Sequence, residues 1–309
     1  VLRTCVLSSG LSRAVQVVLR EAPLFVEHLE LDGSVGVLPQ LESQIVAGGC
    51  WMDVSKAPLL QLKSADDVDK GCHYLIVYQH HLIIDHVGME KIISEIRMYL
   101  SGKGDNLGVP VLYRDFIGHT LHAQRVNDGE TYFKTLLGEI EEPTYPFELS
   151  NVLGDGRGIE ESHTVLSKEL SISLRKLNAT HGISPAVLFH AAYGLVVARC
   201  SNRDYAVFGS LFSGRLQGSL GAADSLGLFI NTLPVLVELK GSVWEYIDQV
   251  KFLLGDLLSY EQTPLSDIQG WSGIGNDKTF FSALLNYRHS GVSSSEEGAE
   301  EFDSGITVL

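Results

Sequence analysis

The sequence feature that most constrains the fold is a polar segment that joins an apolar run to an amphipathic one. Residues 74–79 are apolar or aromatic up to a final glutamine and contain neither glycine nor proline, so they predict a strand buried on both faces. From Met89 to Leu100, apolar residues recur at steps of three and four, which predicts a helix with one buried face. The segment between them, His80 to His86, reads His-His-Leu-Ile-Ile-Asp-His. It therefore lies at a sheet edge, where ligands commonly bind.

Four interpretations of this segment are open on the residues alone. The histidines could be hydrogen-bonded core residues. They could belong to a metal site, because His81 and Asp85 are both ligand types, although the HxHxDH and HExxH patterns are absent. His80 and Asp85 also match the HxxxxD pattern of glycerolipid acyltransferases, but no membrane-facing apolar surface accompanies it. The fourth interpretation is a general base, His81, that takes a proton from an amine or hydroxyl nucleophile.

Composition narrows the classes of partner. The net charge of -15 argues against a nucleic-acid surface, which needs clustered lysine and arginine. The four cysteines (Cys5, Cys50, Cys72 and Cys200) include no CxxC pair, so neither a disulfide framework nor a zinc site is indicated. No apolar stretch is long enough to span a membrane, and no signal peptide opens the chain. We therefore predict a cytoplasmic chain that binds neither nucleic acid nor membrane.

The second half of the chain alternates between predicted helices and strands. Ser184 and Pro185 have the types of an N-cap and of a first helical residue, and a second long helix is predicted over 243–259. Strands are predicted over three stretches: 205–211, 233–239 and 280–287. Such alternation favours mixed α/β lobes.

Five segments match, in order, the motifs of one known family. Residues 80–86 resemble the HHxxxDG signature of the condensation domains of nonribosomal peptide synthetases, which belong to the chloramphenicol acetyltransferase-like superfamily. The other four are Tyr-Arg-Asp-Phe at 113–116, the segment from Arg203 to Arg215, Gly-Leu-Phe-Ile-Asn-Thr-Leu-Pro at 227–234, and the strand that ends in Asn-Tyr at 286–287. One such motif would be weak, whereas five in order indicate a condensation domain.

The resemblance implies an α/β (α+β) fold with two chloramphenicol acetyltransferase-like lobes. Each lobe is expected to hold a mixed sheet covered by helices, and the lobes are expected to form a V with a central tunnel. We place the N-terminal lobe at 1–142, a connector at 143–160 and the C-terminal lobe at 161–309. Because the family has segments before and after the matched motifs, we expect the chain to be truncated at both ends.

The resemblance also implies an activity and partners. A condensation domain forms an amide bond when a carrier-bound aminoacyl amine attacks a carrier-bound acyl or peptidyl thioester. Upstream donor and downstream acceptor peptidyl carrier protein domains present these substrates on phosphopantetheine arms, and an adenylation domain lies adjacent. The domain itself is expected to bind no cofactor and no metal.

For the catalytic role the resemblance points to His81, as a general base or as a hydrogen-bonding group that positions the amine. Asp85 is expected to be structural. If it is buried and charged, it needs a cationic or hydrogen-bonding partner. Arg215 is the first candidate for that partner and Arg203 the second.

The supporting residues are His80, His86 and Gly88. His86 departs from the family, which usually has glycine there to relieve a tight turn, so we expect it to tolerate that backbone or to alter the turn. The N–H of Gly88 could face the developing oxyanion, or the residue could ease close packing at the helix start. Asn231 and Tyr287 are candidates for lining the tunnel.

Three rival functions remain on sequence grounds. A catalytically silent scaffolding member of the superfamily would typically lack the paired histidines. An epimerisation domain would carry a glutamate-containing motif in the second lobe, where this chain has Asn-Thr-Leu-Pro at 231–234. A free-standing acyltransferase that acts on a soluble alcohol or amine is the third.

Overall fold

The structure, a computed structural model, describes residues 1–33, 35–47, 51–152, 154, 159–215, 221–274, 278–288 and 306–308. The chain divides into two compact units. The first comprises Val1–Tyr113, Gly221–Phe229 and Asp303–Leu309, and the second comprises Arg114–Leu220 and Ile230–Phe302. Residues 153 and 155–158 of the predicted connector lie outside the described residues, as does Cys50.

The first unit contains two small sheets and two helices. The antiparallel pair is β1 (Thr4–Leu7) with β2 (Val15–Val18). The second sheet has the order β3 (Val26–His28), β4 (Leu60–Asp67) and β5 (Cys72–Gln79). Because β3 runs parallel to β4 and β5 runs antiparallel to it, this sheet is mixed, as predicted. The helices are α1 (Val37–Ala47) and α2 (His86–Leu100).

The prediction that β5 is buried on both faces is wrong. Its side chains alternate, and Leu75 and Val77 are exposed while Tyr74 and Ile76 are half-buried. The reason is that one face of this three-stranded sheet, in which β5 is an edge strand, is accessible. A continuous apolar run can therefore form an edge strand with one exposed face.

The second unit contains the larger core and a second mixed sheet. Its helices are α3 (Tyr113–Val126, whose first residue belongs to the first unit), α4 (Gly129–Leu137), α5 (Lys168–His181), α6 (Pro185–Cys200), α7 (Val243–Leu258) and α8 (Leu265–Trp271). Its strands are β6 (Tyr205–Phe212), β7 (Asn231–Glu238) and β8 (Leu284–Leu285), in the order β7, β6, β8. Strand β7 is antiparallel to β6, and β8 is parallel to it.

Local sequence signals explain where the long helices begin. The Ser184 hydroxyl accepts the N–H of Val187, and Pro185 is the first residue of α6, as predicted. At α7, Ser242 and Glu245 bond each other's backbone in a capping box. Both helices then pack on the sheet of the second unit.

The boundary between units differs from the predicted lobe boundary at residue 142. Three side chains from that stretch, Phe133, Leu137 and Ile140, are buried in the core of the second unit. Residues 114–142 therefore belong with the second unit, because their apolar side chains are buried in its core. The predicted strand at 280–287 is also shorter, since only Leu284–Leu285 pairs with β6 as a strand.

The described helices are short or carry polar residues on one side. None of them is by itself long and apolar enough to cross a membrane, and α5 with α6 passes only as a pair bent by 113°.

Candidate active site

The polar segment is anchored by the two isoleucines at its centre. Ile83 and Ile84 are almost completely buried and form a small core with Leu59, next to β4. Ile92 of α2 and Leu226 pack against that core. Because apolar burial fixes both the strand end and the helix start, the turn between them is held from two sides.

His80 stabilises this turn with hydrogen bonds from both its backbone and its ring. Its N–H donates to the Leu59 carbonyl at 3.1 Å, and its carbonyl accepts the Ile83 N–H at 3.1 Å. The Leu82 N–H donates to His80 Nδ1 at 3.2 Å. Since a backbone N–H can only donate, Nδ1 must be the unprotonated nitrogen, and the neutral ring carries its proton on Nε2. This use of His80 is structural.

His81, by contrast, is exposed. It follows β5 directly and lies in the turn that the buried isoleucines hold. An exposed imidazole on an anchored backbone can meet a substrate without first breaking a protein contact. The two neighbouring histidines therefore differ in what they can do.

Asp85 is the N-cap of α2. Its side chain is 2% exposed, and Oδ1 accepts the N–H of Gly88 at 2.9 Å. Oδ2 accepts the N–H of Phe229 at 3.4 Å, and the Asp85 N–H donates to the Gly227 carbonyl at 3.2 Å. The carboxylate thus joins the start of α2 to a segment that lies 144 residues further along the chain.

Gly88 and His86 occupy the first turn of α2. The N–H of Gly88 is engaged by Asp85, and a Cβ there would come within 2.6 Å of Ile84 Cγ1. This geometry agrees with the alternative in which Gly88 eases close packing at the helix start. His86 is the first helical residue and forms a 3.0 Å ion pair with Glu90 when it is protonated. Because its backbone is helical, histidine can stand where the family usually has glycine.

The residues from 227 to 229 are fitted closely to Tyr113. The Tyr113 hydroxyl donates to the Leu228 carbonyl at 2.5 Å, and its ring meets Phe229 edge to face at 5.3 Å. A Cβ on Gly227 would lie 2.1 Å from the Tyr113 ring. The sequence motifs at 113–116 and 227–234 are therefore in contact through Tyr113 and residues 227–229, all of which lie in the first unit.

Four other predicted site residues lie in the second unit. Arg203 forms a 2.6 Å ion pair with Glu142. Arg215 is half-buried, and its pairing with Asp85 stays a prediction. Asn231 donates to two backbone carbonyls, at 2.9 and 2.7 Å. The ring of Tyr287 packs on that of Phe189, with ring centroids 5.5 Å apart.

Sequence reasoning missed a buried histidine in the second unit. His190 lies on α6, where Nδ1 donates to the Ala186 carbonyl at 2.7 Å and Nε2 accepts the Ser210 hydroxyl at 2.7 Å. Burial lowers the pKa of His190, although its bond to Ala186 acts in the opposite direction. A histidine among the apolar residues of the first half of α6 was the available signal, since such a residue needs a partner inside the core.

Side chains of the metal-ligand types are not grouped in the described part of the chain. No three or more histidine, cysteine, aspartate or glutamate side chains there could together hold a metal ion.

Comparisons with known proteins were made on sequence and on structure. A family model described as Condensation domain matches residues 1–308. The chain is 37% identical over 291 residues to malpibaldin synthetase of Mortierella alpina, which covers 94% of this chain and 5% of that protein. It is 35% identical over 308 residues to malpinin synthetase of the same organism, with 99% and 4% covered. The chain thus spans about a twentieth of the length of these relatives.

The structural comparison shows the same fold. The first condensation domain of the calcium-dependent antibiotic synthetase, in complex with a substrate analogue, matches with a TM-score of 0.65 at 16% identity, and 92% of this chain and 66% of that chain are covered. The SgcC5 protein from Streptomyces globisporus matches with a TM-score of 0.61 at 21% identity, with 87% and 62% covered. The predicted mixed α/β fold is therefore confirmed.

Proposed function

Because this chain belongs to the condensation-domain family, we propose that it catalyses amide bond formation between two carrier-bound substrates. The amine nitrogen of an aminoacyl thioester attacks the carbonyl carbon of a donor acyl or peptidyl thioester. A C–N bond forms, the donor C–S bond breaks, and the thiol leaves on the donor arm. The attacking amine loses one proton, and His81 is the group that takes it or holds the amine in line for attack.

The observation that supports this role is the contrast between the two histidines. The His80 ring is occupied by a backbone N–H inside the turn, whereas the His81 ring is exposed on the same anchored turn. A base must reach the proton that it removes, and the exposed ring of His81 meets that requirement. His80, Asp85 and Gly88 then act on the reaction by holding that turn.

The partners follow from the class of relative. The proteins that this chain resembles are long synthetases, of which a condensation domain is a small part. We propose that upstream and downstream carrier protein domains supply the donor and acceptor on phosphopantetheine arms, and that an adenylation domain loads the acceptor. The domain binds no cofactor of its own in this scheme, and the protein works in the cytoplasm.

The test uses the synthetase that contains this chain, with donor- and acceptor-loaded carrier proteins. The mass of the acceptor-bound product is followed for wild type, His81→Ala and His122→Ala, the last being an exposed histidine on α3 outside the motif. Loss of a general base reduces rate by about 10²- to 10⁴-fold, so we expect His81→Ala to fall in that range and His122→Ala to match wild type.

Two outcomes would count against the proposal. An unchanged rate in His81→Ala would remove His81 from the chemistry. No product from wild type with well-matched carriers would favour a silent scaffolding role, or an acyltransferase that acts on a soluble alcohol or amine.

A further inference from the structure

The second unit contains a cavity of about 350 Å³ between α4, β7 and α7. Small-molecule sites typically measure about 300–1,000 Å³, so this one suits a ligand of amino-acid size. Three leucines, Leu136, Leu236 and Leu253, line it, one from each element, together with the ring of Tyr132. These residues thus provide an apolar wall against which an aliphatic stem can pack.

Two carboxylates, Glu238 and Asp256, also line the cavity. Glu238 on β7 is partly neutralised, since Lys240 Nζ approaches its Oε1 at 2.7 Å. Asp256 on α7 is exposed, and no lysine, arginine or histidine in the described part of the chain forms an ion pair with it. The cavity therefore combines apolar walls with a negative charge that no described cation balances.

The position of Asp256 at the end of α7 also favours a cation beside its carboxylate. It lies in the last turn of α7, which contains no basic residue. The C-terminal end of a helix carries the negative end of the helix dipole, where a carboxylate is unfavourable and a cation is stabilised. A positive ligand group beside Asp256 would satisfy both the side chain and the helix end.

Tyr132 defines the aromatic wall. Its ring stacks on Tyr260, with centroids 4.1 Å apart and planes at 16°. Burial, with smaller contributions from the nearby charges of Asp256 and Tyr260, raises the pKa of Tyr132 to about 12. Its phenol therefore stays neutral at physiological pH, and its ring is a suitable neighbour for an organic cation.

We propose that this cavity binds a small organic cation, a primary ammonium on an aliphatic stem of a few carbons, with the ammonium beside Asp256 and the stem along the three leucines. The charge pattern selects against carboxylate and phosphate ligands. The inference does not rest on the proposed reaction, because none of these residues belongs to the motif segments at 80–86 or 227–234.

The test is a ligand titration of the full chain by NMR, with n-hexylammonium chloride as the probe and n-hexanol as its neutral control. Wild type, Asp256→Asn and Asp248→Asn are compared. Asp248 is the matched control because it is also an exposed aspartate of α7 but does not line the cavity. We expect saturable binding of the ammonium by wild type, tighter than the binding of hexanol.

An exposed ion pair is worth up to about 1 kcal/mol, or roughly fivefold in affinity. We therefore expect Asp256→Asn to weaken hexylammonium binding roughly two- to fivefold and to leave hexanol unchanged, while Asp248→Asn has no effect. Circular dichroism confirms that each variant is folded, and the comparison of the two ligands on wild type needs no variant at all. Equal affinity for the two ligands, no saturable binding, or equal effects of the two substitutions would overturn the proposal.

Discussion

Removal of the Asp85 carboxylate should loosen the turn that carries His81. In Asp85→Ala, α2 loses its N-cap, which costs about 0.5–2 kcal/mol. The N–H of Phe229, a residue that is 1% exposed, also loses its acceptor, and a buried unsatisfied donor costs about 1–3 kcal/mol. Since the two effects share one side chain and are not strictly additive, we expect a loss of about 2–4 kcal/mol in unfolding free energy.

Asp85→Asn separates the two effects. Asparagine caps helices as well as aspartate does, so its amide oxygen can keep the bond from the Gly88 N–H. Its NH₂ group then faces the Phe229 N–H, and two donors cannot bond each other. We expect a loss of about 1–2 kcal/mol, smaller than that of alanine.

The assay is urea unfolding followed by hydrogen exchange in peptides that cover 86–100, which report on the first unit alone. Asp69→Asn, an exposed aspartate in the turn after β4, serves as the matched control and should lie within about 0.5 kcal/mol of wild type. The reasoning fails if Asp85→Ala is as stable as this control, or if Asp85→Asn is less stable than Asp85→Ala.

Two further predictions concern the second unit. Gly194→Ala should destabilise the chain by about 1–3 kcal/mol, because its Cβ would lie 2.6 Å from Val237 Cγ2. Gly255→Ala should stabilise it by about 0.5–1 kcal/mol, because a Cβ there would have no neighbouring atom within 4 Å. Thermal unfolding that ranks the two variants alike would contradict this packing argument. Burial lowers the pKa of His190 in the folded state, so the unfolded chain binds more protons below about pH 6.5. The stability that the neutral ring contributes is therefore complete above that pH and is lost as the pH falls, and His190→Gln should show a smaller decrease in unfolding free energy between pH 7 and pH 5; equal decreases in the two proteins would contradict it.

The sequence predicted the site best where local signals and burial agreed. The existence of the strand before His80 followed from its continuous apolar run, the helix after Asp85 followed from apolar periodicity, and the start of α6 followed from Ser184 and Pro185. Each of these signals acts over a few residues, so the surrounding fold did not need to be known.

Long-range contacts were out of reach for the same reason. Asp85 was expected to need a cationic or hydrogen-bonding partner, and two of its partners are the backbone N–H groups of Gly88 and Phe229, the second of them 144 residues away. The exposure of Leu75 depends on which face of the sheet other elements cover, and the composition of β5 does not show this. Pairing and strand order are tertiary properties, and residue types alone do not determine them.

The contact between Asp85 and Phe229 joins two segments that the ribosome makes at different times. Synthesis proceeds at about 5–20 residues per second. The Phe229 N–H, 144 residues after Asp85, is therefore made about 7–30 seconds later than the Asp85 carboxylate that accepts it. During that interval the carboxylate lacks this donor, although most residues of the first unit have already been made. A chain that stops before Gly221 would lack the Phe229 donor altogether, so the histidine turn should be studied in chains that extend at least through Phe229.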